Sequence, residues 1–324
     1  SASFTNFGAI WLTMSVPDKN GQFDDVILGY DSVDSIQTQP GHPGEPVGRN
    51  ANRIGGAKFT LNGVTYELAK NSAEVNNLHS GPDYYRDRIW DAEVEETALG
   101  TTITFGLHSP DGDQGYPGNA DITVSYTLTP DNCLKLDYHM VSDADTIANF
   151  TNHVYFNLGG YKSGSALDQK VWIDADYFTA TDANSIPTGE LVAVKGTPMD
   201  FTEMKPIGRD IQEDYQALKY GNGYDHNWAL NHPAGELSLS AKAEDEKTGR
   251  TMEVYTDLPG VQFYTANSLK TERGKNHAVY TPRCGYCFET QYFPDAINKP
   301  EFASPVIKAG EEYKTTTIYK FGVK

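Results

Sequence analysis

Cysteine is scarce. Cys133, Cys284 and Cys287 are the only thiols in 324 residues, an odd and sparse set that cannot build a secreted disulfide framework and that predicts a reducing compartment, the cytoplasm. Positive charge is also short, with 26 Lys+Arg against 44 Asp+Glu and a formal net charge of −18. Nucleic acid and anionic lipid both demand clustered cations, so the balance speaks against either partner and against a substrate carrying several phosphates. No apolar run reaches the ~18 residues of a membrane-crossing helix. Helical periodicity is thin: only Pro206 to Tyr220, with Ile207, Ile211, Tyr215 and Leu218 near i, i+4, i+8 and i+11, predicts a helix. HExxH, the P-loop and the dinucleotide-binding glycine fingerprint are missing. So are linkers, fixed-period repeats and low-complexity segments, which leaves residues 1–324 as one predicted domain of no specified oligomeric state. A small, neutral, polar ligand fits these absences best.

What the chain does have is aromatic residues, 12% of the total with 20 Tyr and 14 Phe, and short alternating segments punctuated by Gly, Pro, Asn and Asp. Lys58–Leu61 and Val64–Leu68 flank Asn62-Gly63, the pair that a type I′ hairpin turn favours because both central residues need positive φ. Further strands are predicted at Thr101–Leu107, Ala120–Thr129, Leu134–Met140, Glu236–Ala243, Thr251–Thr256 and Thr315–Phe321, with a turn-rich connection at Asp111–Gly118. Strand follows strand with scarcely any βαβ alternation, so the fold class is all-β: a large antiparallel sandwich with few short helices.

Two stretches carry candidate chemistry. Read as a strand, Asn149–Leu158 sends Phe150, Val154, Phe156 and Leu158 to one face, with Asn152 among them, and Asn149, Thr151, His153, Tyr155 and Asn157 to the other. The polar row is either a solvated surface or a face that hydrogen-bonds a polyol; it holds no Lys or Glu and one imidazole. In Tyr286–Phe293, alternation groups Cys287, Glu289, Gln291 and Phe293. A lone carboxylate in an apolar, aromatic strand is costly to bury unless something uses or pairs it. Glu289 is thus either half of an ion pair with an Arg or a general base whose pKa burial raises towards neutrality.

Other segments are weaker. Tyr224-Asp225-His226-Asn227-Trp228 offers an acid and an imidazole after a glycine-rich turn, while Asn52-Arg53 and Leu78-His79-Ser80-Gly81 have commonplace compositions. Gln262, in Gly260–Tyr264, could face core or ligand. Cys284-Gly285-Tyr286-Cys287 has CxxC spacing but neither the βαβ context of a redox site nor a second ligand pair for zinc, and reads as two buried thiols. The sequon Asn149-Phe150-Thr151 falls inside a predicted strand and is discounted for glycosylation.

Taken in order, Gly48-Arg49-Asn50-Ala51-Asn52-Arg53-Ile54, Asn77-Leu78-His79-Ser80-Gly81, Gly115-Tyr116-Pro117-Gly118, Thr151–Leu158, Tyr224-Asp225-His226-Asn227, Gly260–Thr265 and Glu289–Ala296 resemble the motifs of the aldose 1-epimerases, the galactose mutarotases, across nearly the whole chain. The resemblance implies a β-sandwich with a sugar cleft, a free monosaccharide such as galactose or glucose as substrate, and no metal or organic cofactor. It makes His153 the general acid and Glu289 the general base, with His79 stabilising charge on the ring oxygen and Asn52, Arg53, Asp225 and Gln262 binding the sugar. It implies a bell-shaped pH–rate profile with Glu289 on the acid limb and His153 on the basic one. It also implies that this chain begins late, since the family's first strand precedes Thr5, and that Ser80-Gly81 replaces a usual Gly-Gly. The rival classes are a glycoside hydrolase using Asp225 and Glu289 and a non-catalytic carbohydrate-binding sandwich.

Overall fold

The hairpin predicted around Asn62-Gly63 forms between strands Lys58–Leu61 and Val64–Glu67, with both turn residues at positive φ. It is a small accessory of two larger sheets in the computed structural model, which describes residues Ser1–Lys324. One sheet has nine strands, in the order Lys205–Pro206, Lys170–Ile173, Ser238–Glu244, Arg250–Thr256, Glu312–Val323, Cys133–Ser142, Ala120–Leu128, Gly100–Ser109, Asp91–Thr97. The other has five: Pro187–Ala193, Tyr177–Thr181, Asp225–Ala229, Gly260–Tyr264 and Cys287–Gln291. Neighbours within both sheets are antiparallel, and helix is confined to Val33–Thr38, Gln216–Gly221 and a few single turns.

The sheets pack face to face because each strand alternates. Leu134, Leu136, Tyr138 and Met140 from one sheet and Trp228, Phe263 and Phe288 from the other belong to one buried cluster. Phe263 and Phe288 stack with ring centroids 5.2 Å apart. Truncating such a ring to Ala costs about 3–5 kcal/mol. Polar ties cross the interface too: Tyr319 Oη donates to Phe288 O at 3.0 Å, and the Thr290 and Thr317 hydroxyls meet at 2.6 Å.

The helix predicted from Pro206 to Tyr220 is mostly not one. Lys205–Pro206 pairs as a short strand with Lys170–Val171, and Ile207 and Gly208 donate their N–H groups to Gln169 and Leu167. With its donors spent on another segment this backbone cannot wind, and α-helix starts only at Gln216. Ile207, Ile211 and Leu218 are buried nonetheless; their spacing records tertiary packing.

Residues 149–158 are regular strand only at Thr151–Asn152, yet the alternation holds. Phe150, Val154, Phe156 and Leu158 enter the core, and the opposite row is buried as well, not solvated. Asn152 is accommodated on the apolar side because its amide donates to Gly44 O and Tyr126 Oη. Asn149 is 1% exposed and accepts the Tyr292 N–H at 2.9 Å, which leaves no room for a glycan.

Candidate active site

Strand register assembles the site. Asn227 pairs with Gln262, which pairs with Glu289; one level on, Asp225, Tyr264 and Cys287 form a second row on the same face. The opposite rows, His226–Phe263–Phe288 and Trp228–Val261–Thr290, turn towards the core. Period-2 geometry therefore carries the polar groups to one side as a set. Gly260 is required here: a Cβ would lie 2.5 Å from Asn227 Oδ1 and 2.9 Å from the Phe293 ring.

Across from this face, Arg49 ties its loop down by donating from a fully buried guanidinium to Pro117 O, Gly118 O and Ser109. The loop then pairs Arg53–Ile54 with Asn77–Leu78. Asn52 and His79 flank that pairing, both in left-handed backbone (φ 62° and 54°), a conformation that costs a non-glycine residue about 1–3 kcal/mol. They hold each other: His79 N–H donates to Asn52 O, and Asn52 N–H donates to His79 Nδ1 at 3.0 Å. Ser80, where a second glycine was expected, exchanges hydrogen bonds with Asn50 N–H and O, so the departure braces the loop.

All seven residues singled out as candidates, Asn52, Arg53, His79, His153, Asp225, Gln262 and Glu289, line one cavity of about 240 Å³. Sequence reasoning gave no role to Tyr155 and Tyr264, which complete the wall, or to His42, which it passed over. His226 does not reach the cavity. Asp225 N–H donates to its Nδ1 and its Nε2 faces Ala217 O, so both nitrogens are spent on the backbone.

His153 Nε2 and Glu289 Oε1 are 3.6 Å apart, and both residues are almost fully buried, 5% and 2% exposed. The other imidazole nitrogen, Nδ1, contacts Cys287 Sγ at 3.6 Å. Burial, then the charge of Glu289, pushes that thiol well above its ordinary value. A proton on Nδ1 that donates to this sulfur leaves Nε2, on the Glu289 side, as the nitrogen that gains and loses a proton. Asp225 accepts from Gln262 Nε2 at 2.8 Å and lies 4.0 Å from Arg53. Gln291 orients the floor through Asn227 and Gln262. Glu289 Oε2, Arg53 Nε and Asn227 Nδ2 are buried with no hydrogen-bond partner in the protein, as groups meant for a ligand would be.

Burial dominates the electrostatics. It lowers His153 to about 3, helped by His42, and takes His79 well below the ordinary imidazole range. It raises Glu289 well above the carboxylate range, with Asp225 adding to the rise and Arg53 opposing it. The neutral imidazole–carboxylic acid form of the pair is thereby favoured over imidazolium–carboxylate.

His79, His153 and Glu289 also bring nitrogen and oxygen donors within 4.8 Å of one another, close enough to suggest metal ligation. The Asn52 N–H decides otherwise. Because it occupies the Nδ1 lone pair of His79, the proton of that ring sits on Nε2, which then has no lone pair for a metal. These groups suit hydrogen bonding to a hydroxyl-rich molecule.

The sequence model of the aldose 1-epimerase family matches residues 1–320. The chain belongs to the aldose 1-epimerase family. It is 40% identical to the galactose mutarotase of Bos taurus, covering 98% of this chain and 90% of that protein. Identity to the aldose 1-epimerase of Escherichia coli is 34%, with the same coverage. The fold agrees with that of the aldose epimerase homologue from C. elegans, at a TM-score of 0.90 and 26% identity over 99% of this chain and 95% of that one. It also agrees with galactose 1-epimerase from Lactobacillus acidophilus, at a TM-score of 0.85 and 27% identity over 98% and 90%.

Proposed function

We propose that this protein is an aldose 1-epimerase that interconverts the α and β anomers of free hexoses such as galactose and glucose, with His153 and Glu289 as its acid–base pair. The observation that carries the reading is a buried imidazole and carboxyl 3.6 Å apart in a cavity of monosaccharide size lined mostly by hydrogen-bonding side chains. Members of the family act as isomerases, and the reaction needs no redox step.

The reacting state is imidazolium and carboxylate. Glu289 takes the proton of the C1 hydroxyl while His153 gives one to the ring oxygen. The C1–O5 bond breaks, leaving an aldehyde and a C5 hydroxyl. The pair is then carboxylic acid and neutral imidazole, the form that burial favours. Ring opening thus discharges an ion pair that a low-dielectric cavity holds at a cost. Rotation about C1–C2 presents the other carbonyl face, and closure returns each proton by the reverse path, so no net proton is consumed. Positioned proton transfer typically contributes ~10²–10⁴-fold. His79, with its proton on Nε2, donates to a sugar oxygen; Asn52, Arg53, Asp225 and Gln262 bind the sugar hydroxyls, for which a carboxylate is a strong acceptor.

The pH profile follows from the pair and not from either residue alone. Activity requires one shared proton. A second proton arrives on the acid side, where His153 at about 3 sets the limb. The last proton leaves on the basic side, at a value set by the raised Glu289. The two limbs are exchanged relative to the sequence expectation.

No helix is long and apolar enough to cross a membrane, and all three cysteines are free, which fits a reducing compartment such as the cytoplasm. The hydrolase rival requires Asp225 and Glu289 to flank a glycosidic bond, yet Asp225 is engaged by Gln262 and Glu289 by an imidazole. Polarimetry tests the assignment: freshly dissolved α-galactose or α-glucose should drift to equilibrium faster with enzyme, without consumption of sugar. Release of phenol from aryl glycosides, or no acceleration of the drift, would refute it.

A further inference from the structure

His42 lies in Gly41-His42-Pro43-Gly44-Glu45, a sequence that resembles an ordinary turn, yet its side chain lines the cavity. Its ring centroid is 5.7 Å from that of His79 and 5.8 Å from that of His153, so three imidazoles share one wall. The residue is held in left-handed backbone at φ 67°, and Tyr84 packs edge-on against its ring at 4.8 Å.

The partners of Nδ1 fix what His42 offers. That nitrogen is 2.7 Å from Glu45 Oε1. Two bare lone pairs do not approach so closely, so Nδ1 carries a proton and donates it to the carboxylate. Arg86 Nη1 is also near, at 3.0 Å, but a guanidinium can only donate and cannot share a protonated nitrogen. Arg86 instead neutralises Glu45 through Nε and Oε2, 3.6 Å apart, with its guanidinium over the Tyr84 ring at 4.9 Å. Glu45 is itself 2% exposed, so this second carboxylate is buried to hold an imidazole in place. In the neutral ring, the atom left free is Nε2, and it is an acceptor.

His79 is its complement. The Asn52 N–H occupies its Nδ1, leaving Nε2 as a donor. A sugar hydroxyl accepts through oxygen and donates through hydrogen, so an imidazole donor beside an imidazole acceptor matches one hydroxyl. We propose that His42, oriented by Glu45 and Arg86, is a specificity-determining residue that reads a single hydroxyl of the sugar jointly with His79. His79 Nε2–H donates to that hydroxyl's oxygen, and His42 Nε2 accepts its proton. The inference rests on the aldose reading above and adds to it a hydroxyl-recognition element outside the seven candidate residues.

The test compares kcat/KM for mutarotation of a parent hexose and its 2-, 3-, 4- and 6-deoxy analogues. Wild type should discriminate against one analogue by about 10-fold or more, the scale of a hydrogen bond whose loss strands a buried polar group. His42→Phe should erase most of that discrimination at the same position and leave the ratios for the other analogues unchanged. His42→Gln, which restores an acceptor, should recover part of it, and Glu45→Gln should weaken it in the same direction. Equal wild-type values for all four analogues, a uniform loss across every sugar in the variants, or unchanged ratios in His42→Phe and His42→Gln would each overturn the inference while leaving the mutarotase reading intact. A wild-type enzyme that fails to accelerate mutarotation of the parent hexose would overturn both.

Discussion

His153 and His226 are a matched pair with opposite fates. Each is buried, each stands in a sequence motif rich in hydrogen-bonding residues, and burial lowers the pKa of each. They differ in what their nitrogens are doing. His226 gives both to the backbone, one to Asp225 N–H and one to Ala217 O, and its strand position faces the core with Phe263 and Phe288. His153 keeps Nε2 unspent, 3.6 Å from a buried carboxyl at the edge of a cavity. Burial and a shifted pKa do not distinguish a reacting histidine from a structural one; an uncommitted nitrogen beside open space does.

The comparison breaks most sharply in turnover. His153→Asn should lower kcat/KM for mutarotation by ~10²–10⁴-fold with the far-ultraviolet circular dichroism of the folded protein retained. His226→Asn should leave turnover per folded molecule within a few-fold and instead cost about 1–3 kcal/mol in urea unfolding, because a buried N–H and carbonyl lose their partner. Equal kinetic losses at the two sites would erase the distinction.

A second prediction concerns stability and separates the two sites by pH. Glu289 has a raised folded pKa, so its contribution to stability is present below its unfolded value and is lost as pH rises towards the folded one. Glu289→Gln cannot ionise. Its melting temperature relative to wild type should therefore climb between pH 5 and pH 8, by about 1–4 °C, whereas the His226 variant should show no such gain over that range. A constant difference would mean that the carboxyl is not held neutral by its surroundings.

Rate against pH sharpens the same point. The acid limb of wild-type kcat/KM should fall below pH 5, following the depressed His153, and the basic limb should be displaced above the ordinary carboxylate range. A midpoint of the acid limb near 6.5, the value of an unburied imidazole, would contradict it. The smallest effect is expected at Cys287, whose thiol meets His153 Nδ1. Cys287→Ala should slow turnover by less than ~10-fold, as suits a weak hydrogen bond that sets a tautomer, and the effect should appear in kcat more than in KM.

Much of this was legible in the sequence because strands announce themselves locally. The alternation in Thr101–Leu107, Leu134–Met140 and Thr315–Phe321 predicts strands that exist with longer ends. The same period placed Glu289 and Gln291 on one face before any partner strand was known. Where local pattern and tertiary packing diverge, the reading failed. Ile207 and Ile211 mimic a helix because both are buried, although Ile207 donates its backbone N–H to Gln169 in another segment. The charge state of the His153–Glu289 pair was illegible for a related reason: it is set by desolvation, which a residue's neighbours in sequence do not report. His42 was hidden because Gly41 and Pro43 give its surroundings the look of a turn, and because Arg86, which completes its support, lies far along the chain.

The claim on which the account turns is that His153 and Glu289 work as one unit on a shared proton. A double-mutant cycle by polarimetry tests it most directly, using His153→Asn, Glu289→Gln and the two combined. Each single change should cost ~10²–10⁴-fold in kcat/KM and the double should be about as slow as the slower single, since removing either half already disables the unit. Near-normal turnover of Glu289→Gln, or losses that multiply in the double variant, would contradict it.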